Sequence, residues 1–292
     1  MNWIRKEQKD KMVCKEHAGV PFLTFEKLLQ IPCIKHGFST RMGGVSEGIY
    51  TSMNLSYTRG DEENAVTKNF RRMMAALEMD SSNLVFSDQT HTTNIRVVTA
   101  RDRGKGFTKK RDYSDIDGLV TNVPGLVLAT FYADCVPLYF VDPVKKAIGL
   151  SHSGWRGTVG KIGLKTVELM QAEYGCNPAD MIGCIAPSIC QDCYEVSEDV
   201  IVEFEKAFGE DAALLYYKKE NGKYQLNLWK ANELVMKEAG LTQEHIVVTD
   251  ICTCCNADKL FSHRASHGQR GNLGAFLMLK EENEIEKANT DC

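Results

Sequence analysis

The sequence has no apolar run approaching the ~18–20 residues of a membrane helix, and its first ten residues, Met-Asn-Trp-Ile-Arg-Lys-Glu-Gln-Lys-Asp, hold no apolar signal region. The first absence argues against a membrane-spanning helix. The second makes the cytoplasm the expected compartment. Long blocks of like charge are also missing, and the net charge is only −4 over 292 residues. That excludes a general nucleic-acid binder, whose affinity would rest on clustered Lys and Arg. The short basic run Lys109-Lys110-Arg111 reads as a solvated loop. There is no internal repeat, no low-complexity tract and no Pro/Gly/Ser linker, so residues 1–292 read as a single domain.

Cysteine, by contrast, is plentiful. Eleven is an odd number and fits poorly with a complete disulfide framework. In a reducing compartment these residues are core side chains, metal ligands or nucleophiles.

Apolar periodicity places the elements. Val66, Phe70, Met73, Met74 and Leu77 predict a helix over 62–79, capped by Asp61. Strands are expected at 84–86, 95–98, 126–131, 181–185, 224–226, 246–249 and 275–279. Further helices are expected from a Thr158 cap to Tyr174, over 197–208 and over 228–239. The charged stretch 101–115 reads as an exposed loop, and 281–292 as a frayed tail. Helices and strands alternate in part but hairpins interrupt them, which indicates a layered α/β or α+β fold with a mixed sheet.

The most informative stretch runs from Ala133 to Thr158, ADCVPLYFVDPVKKAIGLSHSGWRGT. Val136–Val141 and Ala147–His152 form an expected antiparallel hairpin around Asp142-Pro143. One register sets Cys135 opposite His152 at its open end, where facing Cβ atoms lie roughly 4.5–5.5 Å apart. Two soft ligands at that separation can share a metal ion, whereas a one-residue slip would put them on opposite faces. Catalytic zinc commonly takes three protein ligands and leaves a fourth position open. His91, in the polar loop Ser87-Asp88-Gln89-Thr90-His91-Thr92, is the third candidate. A Cys–His–His set suits Zn²⁺ or copper. A competing reading makes Cys135 a nucleophile and His152 its base, as in a metal-free thiol hydrolase. The segment GWRGTVGK fails the phosphate-loop pattern, because its second glycine comes one residue late and Ile162 stands where Ser or Thr is needed. Arg156 still adds charge beside a glycine turn that opens a helix.

Two cysteine-rich segments, Cys190-Gln191-Asp192-Cys193 and Cys252-Thr253-Cys254-Cys255, invite a structural zinc reading. Read as C-x₂-C beside C-x-C-C, they are taken as reduced cysteines near the sheet rather than as a second site.

FSTRMGGVS, NLS with GDE, DQTH, ADCVPLYF, HSGWRGT, APSICQDCYEV and FSHR follow one another in order. Over about Ile34–Leu279 the chain thus resembles the YfiH-type family of purine nucleoside phosphorylases, formerly described as multicopper polyphenol oxidases or laccases. The resemblance implies a single-domain, layered α/β/β/α sandwich. It implies a metal, zinc with copper possible, on His91, Cys135 and His152. It also implies phosphorolysis of adenosine, other purine nucleosides and methylthioadenosine, and hydrolytic deamination of adenosine to inosine. The expected partners are purine nucleosides and phosphate, with no nucleic acid and no membrane; the oligomeric state is open. The chain departs from the family pattern at Ala186, Cys190 and Asn272, where glycine, glycine and arginine are usual, and Arg270 or Arg264 is available to compensate for the last.

For that chemistry Arg41 and Arg156 are the first candidates to hold phosphate, each in a glycine-bearing turn, with Arg264 third. Asp134, just before Cys135, is a candidate to orient a ligand or move a proton. The rivals are a copper-dependent polyphenol oxidase and the thiol hydrolase. Seven histidines with no His-x-His pair disfavour the first.

Overall fold

The structure, a computed structural model, describes residues 2–7, 11–282 and 284–285. Its strands are β1 (Met12–His17), β2 (Val20–Phe25), β3 (Ile34–Ser39), β4 (Leu84–Phe86), β5 (Ile95–Val97), β6 (Gly118–Thr121), β7 (Val127–Tyr132), β8 (Val136–Asp142), β9 (Ala147–Ser153), β10 (Ile182–Ile185), β11 (Glu195–Val196), β12 (Tyr216–Lys218), β13 (Tyr224–Leu226), β14 (Ile246–Val248) and β15 (Leu273–Leu279). The α-helices are α1 (Glu26–Leu29), α2 (Glu63–Ala76), α3 (Trp155–Val159), α4 (Ile162–Tyr174), α5 (Glu198–Phe208) and α6 (Leu228–Glu238). One six-stranded sheet runs β1-β2-β3-β15-β7-β4 and a second β14-β10-β8-β9-β6-β5, while β11, β13 and β12 form a small third sheet. Both large sheets mix parallel and antiparallel pairs.

Side-chain alternation along β8 explains the layering. Tyr139 and Val141 join Leu128, Ile148, Leu150 and Leu277 in a core between the two large sheets. Leu138 and Phe140 face the other way, into a core under α4, α5 and α6. On the outer side of the first sheet, Val66, Phe70, Met73 and Met74 of α2 pack against Phe22, Val127 and Phe276. The result is the expected α/β/β/α sandwich. Each large sheet is covered on both faces, so β8 and β9 are buried along their whole length.

Several expectations need correction. The helix placed from Thr158 to Tyr174 is two helices, broken where Lys161 takes a left-handed φ of 56° between α3 and α4. Thr158 lies inside α3 and bonds Ser153 rather than capping α4. Helix α2 starts after Glu62, while Asp61 receives Ser46 and Asn54. Strands β1, β2, β3, β6, β11 and β12 are additions to the sequence reading. The expected frayed tail falls for residues 286–292 outside the described residues, and Glu284 within it pairs with Lys35 at 2.6 Å.

The two cysteine segments, read apart in the sequence, come together in the fold. Parallel bridging of Ser188 to Cys252 brings the chain after β10 beside the chain after β14. Sγ atoms of Cys190, Cys193, Cys252 and Cys255 converge within 4.8 Å of one another.

Candidate metal centre and the cleft above it

The hairpin register differs from the expected one by two residues. Pro137, not Cys135, faces His152, because the turn closes on the pair Asp142 and Ala147. Asp142 accepts the backbone N–H groups of Val144 and Lys145, and Lys146 takes a φ of 50°, which together fix this loop. A slip of two residues preserves the face. Cys135 and His152 therefore remain on the side that faces the other sheet, now as diagonal neighbours, still within reach of their side chains. They sit where the layer between the sheets opens to solvent.

The residue opposite Cys135 is Gly154. A Cβ there would lie 2.9 Å from Cδ2 of His91 and 3.3 Å from Sγ of Cys135. The glycine thus leaves the space in which the three side chains meet. The ligand atoms of His91, Cys135 and His152 lie within 4.8 Å of one another, and Sγ of Cys135 is 4.0 Å from Nε2 of His91. A tetrahedral ion held at about 2.3 Å from sulfur and 2.0–2.1 Å from nitrogen would draw these atoms to separations of about 3.5 Å. One thiolate and two imidazoles, with a side open to the cleft, fit an ion such as zinc.

Asp117, which the sequence reading missed, organises the site. Its fully buried carboxylate accepts the Nδ1–H of His152 at 2.7 Å, leaving Nε2 free to ligate. The same carboxylate receives the backbone N–H groups of Thr90, His91 and Thr92 at 3.1, 3.2 and 2.9 Å. Gln89 anchors this loop to β7 by exchanging two 2.7 Å bonds with the backbone of Phe131. His91 itself, at a φ of 68°, is held out into the cleft. One aspartate thus places two of the three ligands. The available signal was Asp117-Gly118 ahead of the apolar Leu119-Val120, just past the stretch 101–115 that was read as an exposed loop.

Electrostatics favour a thiolate on Cys135 beside a protonated His152; the thiolate is the ligating form, and an ion must displace the Nε2 proton of His152. Burial alone would push the Cys135 thiol up, but the charge and hydrogen bond of His152, together with His91, bring it down to about 6. Burial pulls His152 down, and Cys135 and Asp117 outweigh it, raising the imidazole to about 9. Asp117 is held below the usual carboxylate range, since its bonds to His152 and the loop N–H groups exceed the cost of burial.

A cleft of about 580 Å³ opens above the three ligands. Phe131, Tyr57 and Tyr113 contribute aromatic surface, and Arg59, Arg270, Lys109 and Lys110 contribute positive charge. The run Lys109-Lys110-Arg111, read as a solvated loop, is part of the cleft wall. Neither Arg59 nor Arg270 has a carboxylate partner among the described residues. Arg270 is tied to Oδ1 of Asn272, which also lines the cleft, while its buried Nε has no acceptor. Burial and the nearby Arg59 pull Arg270 down to about 10, so it stays charged at neutral pH.

The other predicted residues are placed elsewhere, and none of them lines the cleft. Arg41 donates to the carbonyls of Thr51 and Ala257 and lies 4.6 Å over Phe261. Arg156 is exposed and stacks 4.2 Å over Trp155. Arg264 donates to the carbonyls of Cys193 and Glu195. Asp134 is buried at a φ of 83°, its carboxylate taken by Thr253 Oγ1 at 2.6 Å and the Arg264 N–H at 2.7 Å. Both of its carboxylate oxygens are thus engaged, in the turn just before Cys135.

A layered α/β/β/α sandwich with this donor set at one end of its inner layer is a known class. Residues 35–280 match the family described as multi-copper polyphenol oxidoreductase laccase, and the chain belongs to that family. It is 37% identical over 249 residues to the purine nucleoside phosphorylase YlmD of Bacillus subtilis, spanning 84% of this chain and 88% of that one. A purine nucleoside phosphorylase of Bacteroides thetaiotaomicron is 33% identical over 88% of this chain and 96% of its own. The crystal structure of Bacillus licheniformis hypothetical protein YfiH superimposes with a TM-score of 0.85 at 34% identity, covering 91% of this chain and 99% of that one. The motif resemblance is borne out, and the relatives' names support an enzyme.

Proposed function

We propose that the protein is a zinc-dependent purine nucleoside enzyme. It cleaves adenosine, other purine nucleosides and methylthioadenosine with phosphate, and it hydrolyses adenosine to inosine. The observation that carries this reading is one cleft holding both a convergent His91–Cys135–His152 donor set and two arginines without carboxylate partners among the described residues. Relatives named purine nucleoside phosphorylase support it.

When bound, an ion on His91, Cys135 and His152 supplies Lewis acidity and makes water a nucleophile near neutral pH. Asp117 fixes the His152 tautomer and holds the His91 loop. In phosphorolysis the bond between the purine nitrogen and C1′ breaks, and its electron pair leaves with the base, which takes up a proton. A phosphate oxygen bonds C1′. Arg59 and Arg270, which both line the cleft, hold that phosphate through their guanidinium charge. Phe131 and Tyr57 offer faces on which a purine can stack. In deamination, water adds at the carbon bearing the amino group and ammonia leaves.

A second reading has a specific observation behind it. Cys135, His152 and Asp117 are arranged as thiol, imidazole and orienting carboxylate, the order of a thiol hydrolase. The convergence of His91 and the space left by Gly154 favour the metal. A copper polyphenol oxidase is less favoured, since the described residues offer only one histidine-containing donor group and it holds three donors.

The test is product analysis from adenosine with and without phosphate. Adenine and ribose 1-phosphate only with phosphate, and inosine in either case, is the expected result. No nucleoside turnover, or oxidation of phenols with copper bound, would overturn the reading.

A further inference from the structure

Outside the cleft lining, the four sulfurs of Cys190, Cys193, Cys252 and Cys255 gather between two chain segments. Cys190 and Cys193 lie in the turn after β10, and Cys252 and Cys255 in the turn after β14. Both arms are therefore C-x₂-C. In the second arm Cys254 stands outside the cluster, and counting it as a ligand is what obscures the spacing in the sequence.

The separations decide what the cluster is. Sγ of Cys255 lies 3.5 Å from that of Cys193 and 4.0 Å from that of Cys190. A disulfide needs about 2.05 Å. Four sulfurs at about 2.3 Å from one tetrahedral zinc stand about 3.8 Å apart. Backbone donors support thiolates, since Cys252 Sγ accepts the N–H groups of Cys190 at 3.2 Å and Cys255 at 3.4 Å. Four thiolates around a divalent ion leave a net charge of −2. Lys6, paired at 2.8 Å with Asp192 inside the first arm, brings a positive charge to that side.

We infer that Cys190, Cys193, Cys252 and Cys255 bind a structural zinc ion as a tetrathiolate, separate from the His91–Cys135–His152 centre. Binding releases the four thiol protons and involves no redox change. The ion clamps together the segments that hold Asp134. Ile189 N–H donates to the Asp134 carbonyl, Thr253 Oγ1 donates to its carboxylate, and Arg264 joins that carboxylate to the carbonyl of Cys193. The clamp thus fixes the turn that presents Cys135, one residue on. Cys190, where the family pattern has glycine, completes the set.

The test is metal content of the whole protein, purified without a tag and dialysed against a mild chelator. Two zinc ions per chain are expected, falling to one in Cys135→Ala and to one in the double variant Cys190→Ser, Cys193→Ser. Should the double variant not fold, cobalt loaded into Cys135→Ala decides. That variant is expected to show the intense charge-transfer and visible bands of tetrahedral cobalt with four thiolates. One ion in the wild type and none in Cys135→Ala overturns the inference. So do two disulfides among the four cysteines, or a cobalt spectrum without thiolate bands. One iron in place of the second zinc overturns the assignment to zinc.

Discussion

Asp117 accepts the Nδ1–H of His152 at 2.7 Å, and through the same carboxylate it holds the loop that carries His91. Replacing Asp117 with Asn leaves an amide of the same shape but removes the charge that orients both ligands. Loss of such an outer partner typically lowers metal affinity about 10–100-fold. Competition with a chelator of known affinity measures it. An unchanged affinity would remove Asp117 from the account.

Gly154 is expected to be intolerant for a steric reason. Its φ of −72° is open to any residue, so alanine brings no backbone strain. The added Cβ, however, falls 2.9 Å from the His91 ring. Gly154→Ala should therefore lose the ion on His91, Cys135 and His152 while melting close to the wild type. Metal analysis alongside thermal unfolding checks both parts.

Arg270→Ala should separate the two reactions. Losing one preorganised donor to a developing charge costs about 10²–10³ in rate. Phosphorolysis should fall by that order, with a raised KM for phosphate, and the ratio of adenine to inosine should fall with it. Arg41→Ala should leave that ratio at the wild-type value, since Arg41 bonds backbone carbonyls away from the cleft.

His36 gives the fold a pH dependence of its own. Burial and the charge of Lys15 push its imidazole down to about 3, and its Nε2 accepts the N–H of Phe25 at 2.8 Å. The folded state keeps it neutral while the unfolded chain protonates it near pH 6.5, so the unfolded state binds more protons and stability falls as pH falls below about 6.5. Between about pH 6.5 and 5 this one group accounts for about 2 kcal/mol. Denaturant unfolding of His36→Gln, which keeps an acceptor but cannot charge, should show a shallower slope over that range. Equal slopes would contradict the assignment.

Much of the candidate site was legible because its three donor residues carry local signals. His91 stands in a polar loop after a strand, and Cys135 and His152 close a hairpin whose apolar runs are plain. The register was off by two, an error that keeps the face and so leaves the site intact. Asp117 was hidden because its partners lie 25 to 35 residues away, across loop and strand. Arg59 and Arg270 were hidden for the same reason, since only the tertiary fold turns them into one cleft. Arg41 and Arg156 looked better because they sit in glycine turns, but backbone carbonyls and Trp155 occupy their guanidinium groups. The break at Lys161 has no apolar signature, because the 3.6-residue pattern continues through it. The first hairpin, β1 with β2, gave little periodicity to read, as β2 is buried on both faces.

His91→Ala separates the metal enzyme from a thiol hydrolase most directly, because it leaves Cys135, His152 and Asp117 in place. Metal content and adenosine turnover should be measured side by side on that variant and the wild type. The account predicts the loss of one ion per chain together with both phosphorolysis and deamination. Full turnover with the ion gone would contradict it and assign the chemistry to the Cys135–His152 pair alone.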